Sequence, residues 1–185
     1  MLETIYEETR EKMGKSINAL KEEFKRVRTG RASLSLLDGI RVDYYGTRTP
    51  LNQLATLSIP ESRLISIQPW DKSVIGEIER AILKSELGLT PINDGNIIRI
   101  TIPPLTEERR KELAKVIRKM TEDCKVAVRN IRRDAKDMLK DLKRDGDIAE
   151  DEFFKAQEQI QKITDEYVRM ADQVGKEKEK EIMEF

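Results

Sequence analysis

The chain contains no histidine and one cysteine, Cys124, in 185 residues. Without imidazole there is no His-based catalytic dyad or triad and no zinc-type ligand set, and one thiol cannot build a disulfide framework. Most metal and nucleophile chemistries are disfavoured, so no cofactor and no enzymatic activity are expected. Aromatic residues supply only 5% of the chain while 38% is charged. So few bulky side chains cannot fill a thick core, which points to an elongated, helix-rich shape. No segment approaches the roughly 18 apolar residues of a membrane span, and the N-terminal "MLETIYEETREKMGKS" has no apolar core of the signal-peptide kind. The expectation is a soluble, monomeric cytoplasmic protein with no membrane partner.

The formal net charge is zero, but this balance is global rather than local. Residues 1–29 carry 7 basic and 6 acidic side chains, and residues 30–105 carry 8 of each. Residues 106–145 carry 14 basic against 9 acidic, whereas 147–185 carry 6 basic against 12 acidic. The excess positive charge therefore sits in one segment that contains neither Pro nor Gly.

Three segments share a helical period. Ile5, Met13, Ile17, Leu20, Phe24 and Val27 recur at threes and fours, with Thr9 in the one gap. Leu113, Ile117, Met120, Cys124, Ala127, Ile131, Met138 and Leu142 repeat the pattern, as do Phe153, Ala156, Ile160, Ile163, Tyr167, Met170 and Val174. Alternation of this kind makes a narrow, coiled-coil-like seam that other helices must cover. Thr106 after Pro103-Pro104 reads as an N-cap, Asp145-Gly146-Asp147 as a break, and Asp147 with Glu150 as a capping box for the last helix. A helix over 106–145 would be roughly 60 Å long.

The middle of the chain differs. "GIRVDYYG", "ATLSIP", "LISIQPW" and "NIIRITIP" are short β-branched or aromatic runs bounded by Gly, Pro and Asn, with a helix-like stretch at 72–87 among them. Asp94-Gly95 marks a hairpin turn. This segment reads as a small α+β module inserted between the first helix and the second. The chain crosses the module's boundary near 29–32 and 102–106, where Thr29, Gly30, Arg31, Pro103, Pro104 and Leu105 are the candidate hinge residues.

On the third segment, advancing about 100° per residue from Ile131, the seam stays within roughly 40° of zero. Arg118, Lys125, Arg129, Arg132, Lys136, Lys140 and Lys143 fall between roughly 100° and 180°, while Asp134, Asp137, Asp141 and Asp145 lie on the other flank. The stripe fits a solvated face laced with pairs such as Arg118 with Glu122. It equally fits a polyanion-binding face, since Arg129, Arg132 and Lys136 have no acid three or four residues away, and arginine's planar fork suits phosphate.

Other signals are weaker. Gly14-Lys15-Ser16 lacks the first glycine and preceding strand of a phosphate loop. "DGDIAEDE" lacks the ligand spacing of a calcium loop. Cys124 falls on the apolar seam and reads as an inert core thiol. Trp70 reads as module core, and strand alternation sends one of Tyr44 and Tyr45 inward and the other outward.

The stretches "RTGRAS", "VDYYG", "TPLNQLAT", "LGLTPINDGN", "PPLTEERRKEL", "VAVRNIRRDAKD" and "IQKITDEYV" resemble, in order and over the whole chain, the bacterial ribosome recycling factor family. "ASLS" departs from that pattern, where the family often has a proline. The resemblance implies an L-shaped α+β molecule of two domains with dimensions like transfer RNA: a discontinuous antiparallel three-helix bundle (1–29 and 106–185) and an inserted β/α/β module (31–104). It implies binding to the large ribosomal subunit, on 23S-type ribosomal RNA, in the 70S post-termination ribosome, and separation of the subunits with elongation factor G. It places ribosomal RNA contacts at Arg110, Arg129 and Arg132. With their neighbours, the candidate ribosome-binding set is Arg110, Arg118, Arg129, Arg132, Arg133 and Lys136. From the residues alone, the other class that fits is a helical-bundle RNA-binding or chaperone-like interaction protein.

Overall fold

The computed structural model describes residues 1–184. In chain order its elements are α1 (Leu2–Lys25), β1 (Arg41–Tyr44), β2 (Thr47–Pro50), β3 (Ala55–Glu61), β4 (Leu64–Pro69), α2 (Ile75–Lys84), β5 (Pro91–Asn93), β6 (Ile98–Thr101), α3 (Glu107–Arg144) and α4 (Glu150–Glu184). Two compact units form: Met1–Arg28 with Thr106–Glu184, and Thr29–Leu105. Phe185, the last residue of the expected bundle, lies outside the described residues.

The first unit is the three-helix bundle of α1, α3 and α4. Its polar contacts fix the directions. Cys124 on α3 reaches the Ser16 carbonyl on α1, and Ile5 and Thr9 line a small cleft with Ile131, Ala135 and Met138, so α1 runs antiparallel to α3. Along α3, Arg110, Lys125 and Lys143 meet Met183, Asp172 and Glu150 respectively, so α4 is antiparallel to α3 as well.

Local chemistry sets the helix ends. The Thr106 hydroxyl accepts from the Arg109 N–H at 3.1 Å, and Glu107 and Glu108 occupy the first turn, where the helix dipole favours acids. At the other end Gly146 adopts φ +78. The N–H groups of Gly146 and Asp147 donate to the carbonyls of Lys143 and Leu142, a Schellman closure that only glycine makes without strain. Asp147 is used in this closure, so the start of α4 moves two residues beyond the expected cap. Glu152 accepts from the Ala149 N–H at 3.3 Å, while Ile148 and Phe153 are buried in one cluster, as in a hydrophobic staple.

Two faces differ from the sequence reading. On α3 the buried residues are Leu113, Ala114, Ile117, Thr121, Cys124, Val128, Ala135 and Leu139, whereas Ile131 is half-buried and Met138 exposed. The buried centre is turned about 50° from the predicted seam, toward the basic stripe. The cause is that α3 packs on both α1 and α4, so its inner face points between them. On α4, Phe153, Ala156, Ile160 and Ile163 are buried as expected, but the line continues through Thr164, Ala171, Gly175 and Ile182 instead of Tyr167, Met170 and Val174. A helix slips about 20° per heptad against a strict seven-residue seam, and small residues receive the displaced contact. Buried Thr9, Thr121 and Thr164 each return the hydroxyl to the carbonyl four residues back, at 2.7–2.8 Å, which satisfies it without a partner helix.

In the second unit β3-β4-β6-β5 form an antiparallel sheet, and β1 pairs with β2 in a separate hairpin. Ile65, Ile67, Ile98 and Ile100 point to one side and meet Ile78 and Ile82 of α2 in a single core. The helix expected at 72–87 is shorter, with a 3-10 turn over Lys72–Val74 capped by Asp71 before α2 begins. Strand β2 has no apolar alternation of its own and was not expected. Trp70 is a correction: 65% of it is exposed. Ile65, Ile67 and Pro69 are buried on β4, so period-two alternation carries residue 70 outward. Its indole N–H donates to the Thr56 hydroxyl at 2.8 Å. Tyr44 is half-buried on β1, and Tyr45 is exposed in the turn that follows, at φ +48.

Candidate nucleic-acid interface

The basic stripe of α3 runs beside α4 and divides into three parts by what α4 offers it. Toward the N-terminal end of α3, Arg118 donates through Nε to Glu179 at 3.0 Å and also pairs with it through Nη2. This contact, rather than one with Glu122, holds the guanidinium charged and raises its pKa. Lys125, only 13% exposed in its side chain, lies 2.8 Å from Asp172 and 2.6 Å from Glu122. These carboxylates, Asp172 first, raise its pKa. At the C-terminal end Lys143 is 3.7 Å from Glu150 and sits 4.8 Å from the ring centre of Phe153, a cation–π arrangement.

The middle is different. Arg129 and Arg133 are exposed and Lys136 is half-buried; among the described residues none of the three makes an ion pair. Arg132, half-buried between them, donates from Nη1 to the Gln161 side-chain oxygen at 3.4 Å. Charges at the ends of the stripe are therefore neutralised by the fold, and those at its centre are not. Like charges left this close repel unless an external anion bridges them.

Arg110 lies apart. Its Nη1 donates to the Met183 carbonyl at 3.0 Å, near the C-terminal end of α4, while its Nε is buried without a hydrogen-bond partner among the described residues. The structure thus brings Arg129, Arg132, Arg133 and Lys136 onto one stretch of α3 and puts Arg110 and Arg118 nearer its N-terminal end, each engaged by α4. Sequence reasoning missed Gln161, Asp172 and Glu179. The signal was available only through the antiparallel register of α3 on α4, which no local spacing reveals.

The two crossings between the units are also defined on the module's side. The Ala32 N–H donates to the Ser62 carbonyl at 2.7 Å and the Ile102 N–H to the Arg63 carbonyl at 2.8 Å, so both are pinned to one β3–β4 turn. Thr29 is buried, Gly30 adopts φ +77, and Pro103 and Pro104 are exposed.

Residues 20–183 match the family model described as ribosome recycling factor. The ribosome-recycling factor of Desulfatibacillum aliphaticivorans is 65% identical over 185 residues, all of both chains. That of Bacillus licheniformis is 59% identical over 180 residues, 97% of each. Among solved structures, a solution structure of the ribosome recycling factor aligns with a TM-score of 0.74 at 46% identity, covering 100% of this chain and 98% of that one. Another, from models of the T. thermophilus ribosome recycling factor and the E. coli elongation factor G bound to the E. coli post-termination complex, gives 0.62 at 47%, covering 98% of both chains.

Proposed function

Because the chain belongs to the ribosome recycling factor family, a family of non-catalytic translation factors, we infer that it recycles the post-termination ribosome through the unneutralised centre of the α3 stripe. Its partners are the large ribosomal subunit within the 70S post-termination ribosome and elongation factor G, which supplies the nucleotide energy. Its place of action is the cytoplasm. Arg129, Arg132, Arg133 and Lys136 take ribosomal RNA phosphates. Arg110 joins them from the N-terminal end of α3, and Arg118 contributes by exchanging Glu179 for phosphate. Family membership sets aside the reading as an interaction bundle unrelated to translation.

The observation that carries this assignment is the contrast along one helix: carboxylates face the cations at the ends, and among the described residues none pairs with Arg129, Arg132, Arg133 or Lys136 at the centre. Phosphate binding by such a surface is salt-dependent, with a slope set by the number of phosphates engaged. Binding to purified large subunits across a potassium chloride series tests it. Arg129→Glu and Arg132→Glu should each weaken binding and make the salt dependence shallower by about one unit. Their thermal midpoints should stay near wild type, because Arg129 is exposed and Arg132 is only half-buried. Wild-type affinity in the double variant would remove the stripe from the interface.

Thr29, Gly30 and Arg31 on one crossing, with Pro103, Pro104 and Leu105 on the other, act as the hinge in this reading. Glycine supplies the permissive backbone and the proline pair the stiff one, so motion is confined to a limited axis. A bundle held on RNA could then stay in place while the partner GTPase displaces the module.

A further inference from the structure

We propose that Gln161 is a positioning residue for Arg132, holding the guanidinium in a fixed direction while leaving its charge available to phosphate. This rests on the reading of the α3 stripe as the ribosomal RNA interface. Among the described residues, the other stripe cations that make an ion pair with a side chain of α4 meet a carboxylate: Arg118 meets Glu179, Lys125 meets Asp172, and Lys143 meets Glu150. Among these cations Arg132 alone meets an amide, that of Gln161. An amide oxygen can accept from the guanidinium without cancelling its charge, whereas a carboxylate at the same place would form the bidentate pair that phosphate must form.

A second contact decides which way the amide points. Gln161 Nε2 donates to Asp165 Oδ1 at 2.9 Å, one turn further along α4, while its oxygen accepts from Arg132 at 3.4 Å. A flipped amide would set its NH2 against the guanidinium, donor against donor, and its oxygen against a carboxylate. Asp165 thus orients Gln161, and Gln161 orients Arg132. The long 3.4 Å bond is a guide rather than a clamp. Arg132 has five N–H donors in all, and this bond uses one of them. A long side chain restrained before binding loses less rotamer freedom on binding than a free one.

The experiment measures affinity of the full chain for purified large ribosomal subunits across a potassium chloride series, with the thermal midpoint of every variant. Gln161→Glu converts the amide to a carboxylate with little change in shape. It should lose affinity by about tenfold and become shallower in salt dependence by about one unit, as if one cation had been removed, with a midpoint near wild type, since the new pair with Arg132 offsets the lost bond to Asp165. Gln161→Ala should lose less and keep the wild-type slope, because Arg132 keeps its charge and loses only its guide. Gln159→Glu, the same charge change about 200° around α4, should remain near wild type. Wild-type affinity and slope in Gln161→Glu, alongside weakened binding in Arg132→Ala, would overturn the role of Gln161 and leave the interface standing. Equal losses in Gln159→Glu and Gln161→Glu would reduce the effect to general charge and also overturn it. Unchanged binding in Arg132→Ala would remove the interface itself and the role of Gln161 with it.

Discussion

Gly175 on α4 lies so close to Thr121 on α3 that a β-carbon added there would fall 3.2 Å from the threonine Cβ and nearer still to its hydroxyl oxygen. Thr121 cannot turn aside cheaply, because it is β-branched and buried, and its hydroxyl donates to the Ile117 carbonyl at 2.8 Å. Gly175→Ala should therefore destabilise the bundle. Better helix propensity contributes about 1 kcal/mol in favour of alanine, while overpacking a tight core costs about 1–3 kcal/mol. A lowered thermal midpoint that is largely restored by adding Thr121→Ala would establish the clash as the cause.

The ion pairs at the edge of the stripe differ in depth, and their loss should differ with them. Lys125 is 13% exposed, whereas Arg118 is 66% exposed. Asp172→Asn should lower the thermal midpoint more than Glu179→Gln, since a more deeply placed ammonium loses its main partner. Glu179→Gln frees Arg118 and should steepen the salt dependence of ribosome binding, whereas Asp172→Asn leaves Lys125 paired with Glu122 and should steepen it less. A flat response in both measurements would mean that these pairs do not set the boundary of the basic surface.

Asp94 organises the β5–β6 turn. Its carboxylate accepts from the N–H groups of Ile97 and Asn96 and from Arg99, and these bonds hold its pKa down at about 2, against an ordinary 3.8. A carboxyl depressed in the folded state stabilises it fully above its unfolded pKa, and that contribution is lost as pH falls through the folded one. The turn should thus stay intact at neutral pH and loosen between about pH 4 and pH 2. Amide exchange at Asn96 and Ile97, compared between wild type and Asp94→Asn, measures this. The variant should exchange faster at neutral pH and lose the acid dependence.

If the crossings are a hinge, locking them should separate binding from splitting. A disulfide engineered across the two crossing segments, with Cys124→Ala to avoid mispairing, should leave affinity for the large subunit intact and stop subunit separation by elongation factor G until a reductant is added. The circular-dichroism spectrum of the oxidised form must match that of the reduced form. Equal splitting rates before and after reduction would leave the crossings as simple linkers.

The chain itself should neither bind nor hydrolyse GTP or ATP. Gly14-Lys15-Ser16 lies inside α1, with Gly14 facing the Tyr167 ring, and not at a strand-to-helix loop where backbone N–H groups could cradle phosphates. Turnover that stays with the protein through successive purification steps would contradict this.

What the sequence made legible was mostly local. Thr106 caps α3 because three residues suffice to place its hydroxyl on the Arg109 N–H, and Gly146 ends it because only its backbone can adopt the left-handed turn. The Asp94-Gly95 hairpin was read in the same way. What escaped depended on distant neighbours. The partner of Arg118 is 61 residues away, so no helical spacing could name it. The inner face of α4 passes through Ala171 and Gly175, residues whose small size conceals them in any apolar pattern. Trp70, beside Pro69 and Asp71 at a strand-to-helix junction, reads as core, yet the alternation of Ile65, Ile67 and Pro69 directs it outward.

The shared turn at Ser62 and Arg63 gives the module the character of a transplantable cassette. Its first and last pinned residues, Ala32 and Ile102, are bonded to adjacent residues, so its ends come together and its core is completed within itself. A gene encoding 29–105 alone should yield a folded miniature protein, and joining 28 to 106 through a short flexible loop should return a bundle without it. Nature or an engineer could then exchange the insert without redesigning the helices that carry it.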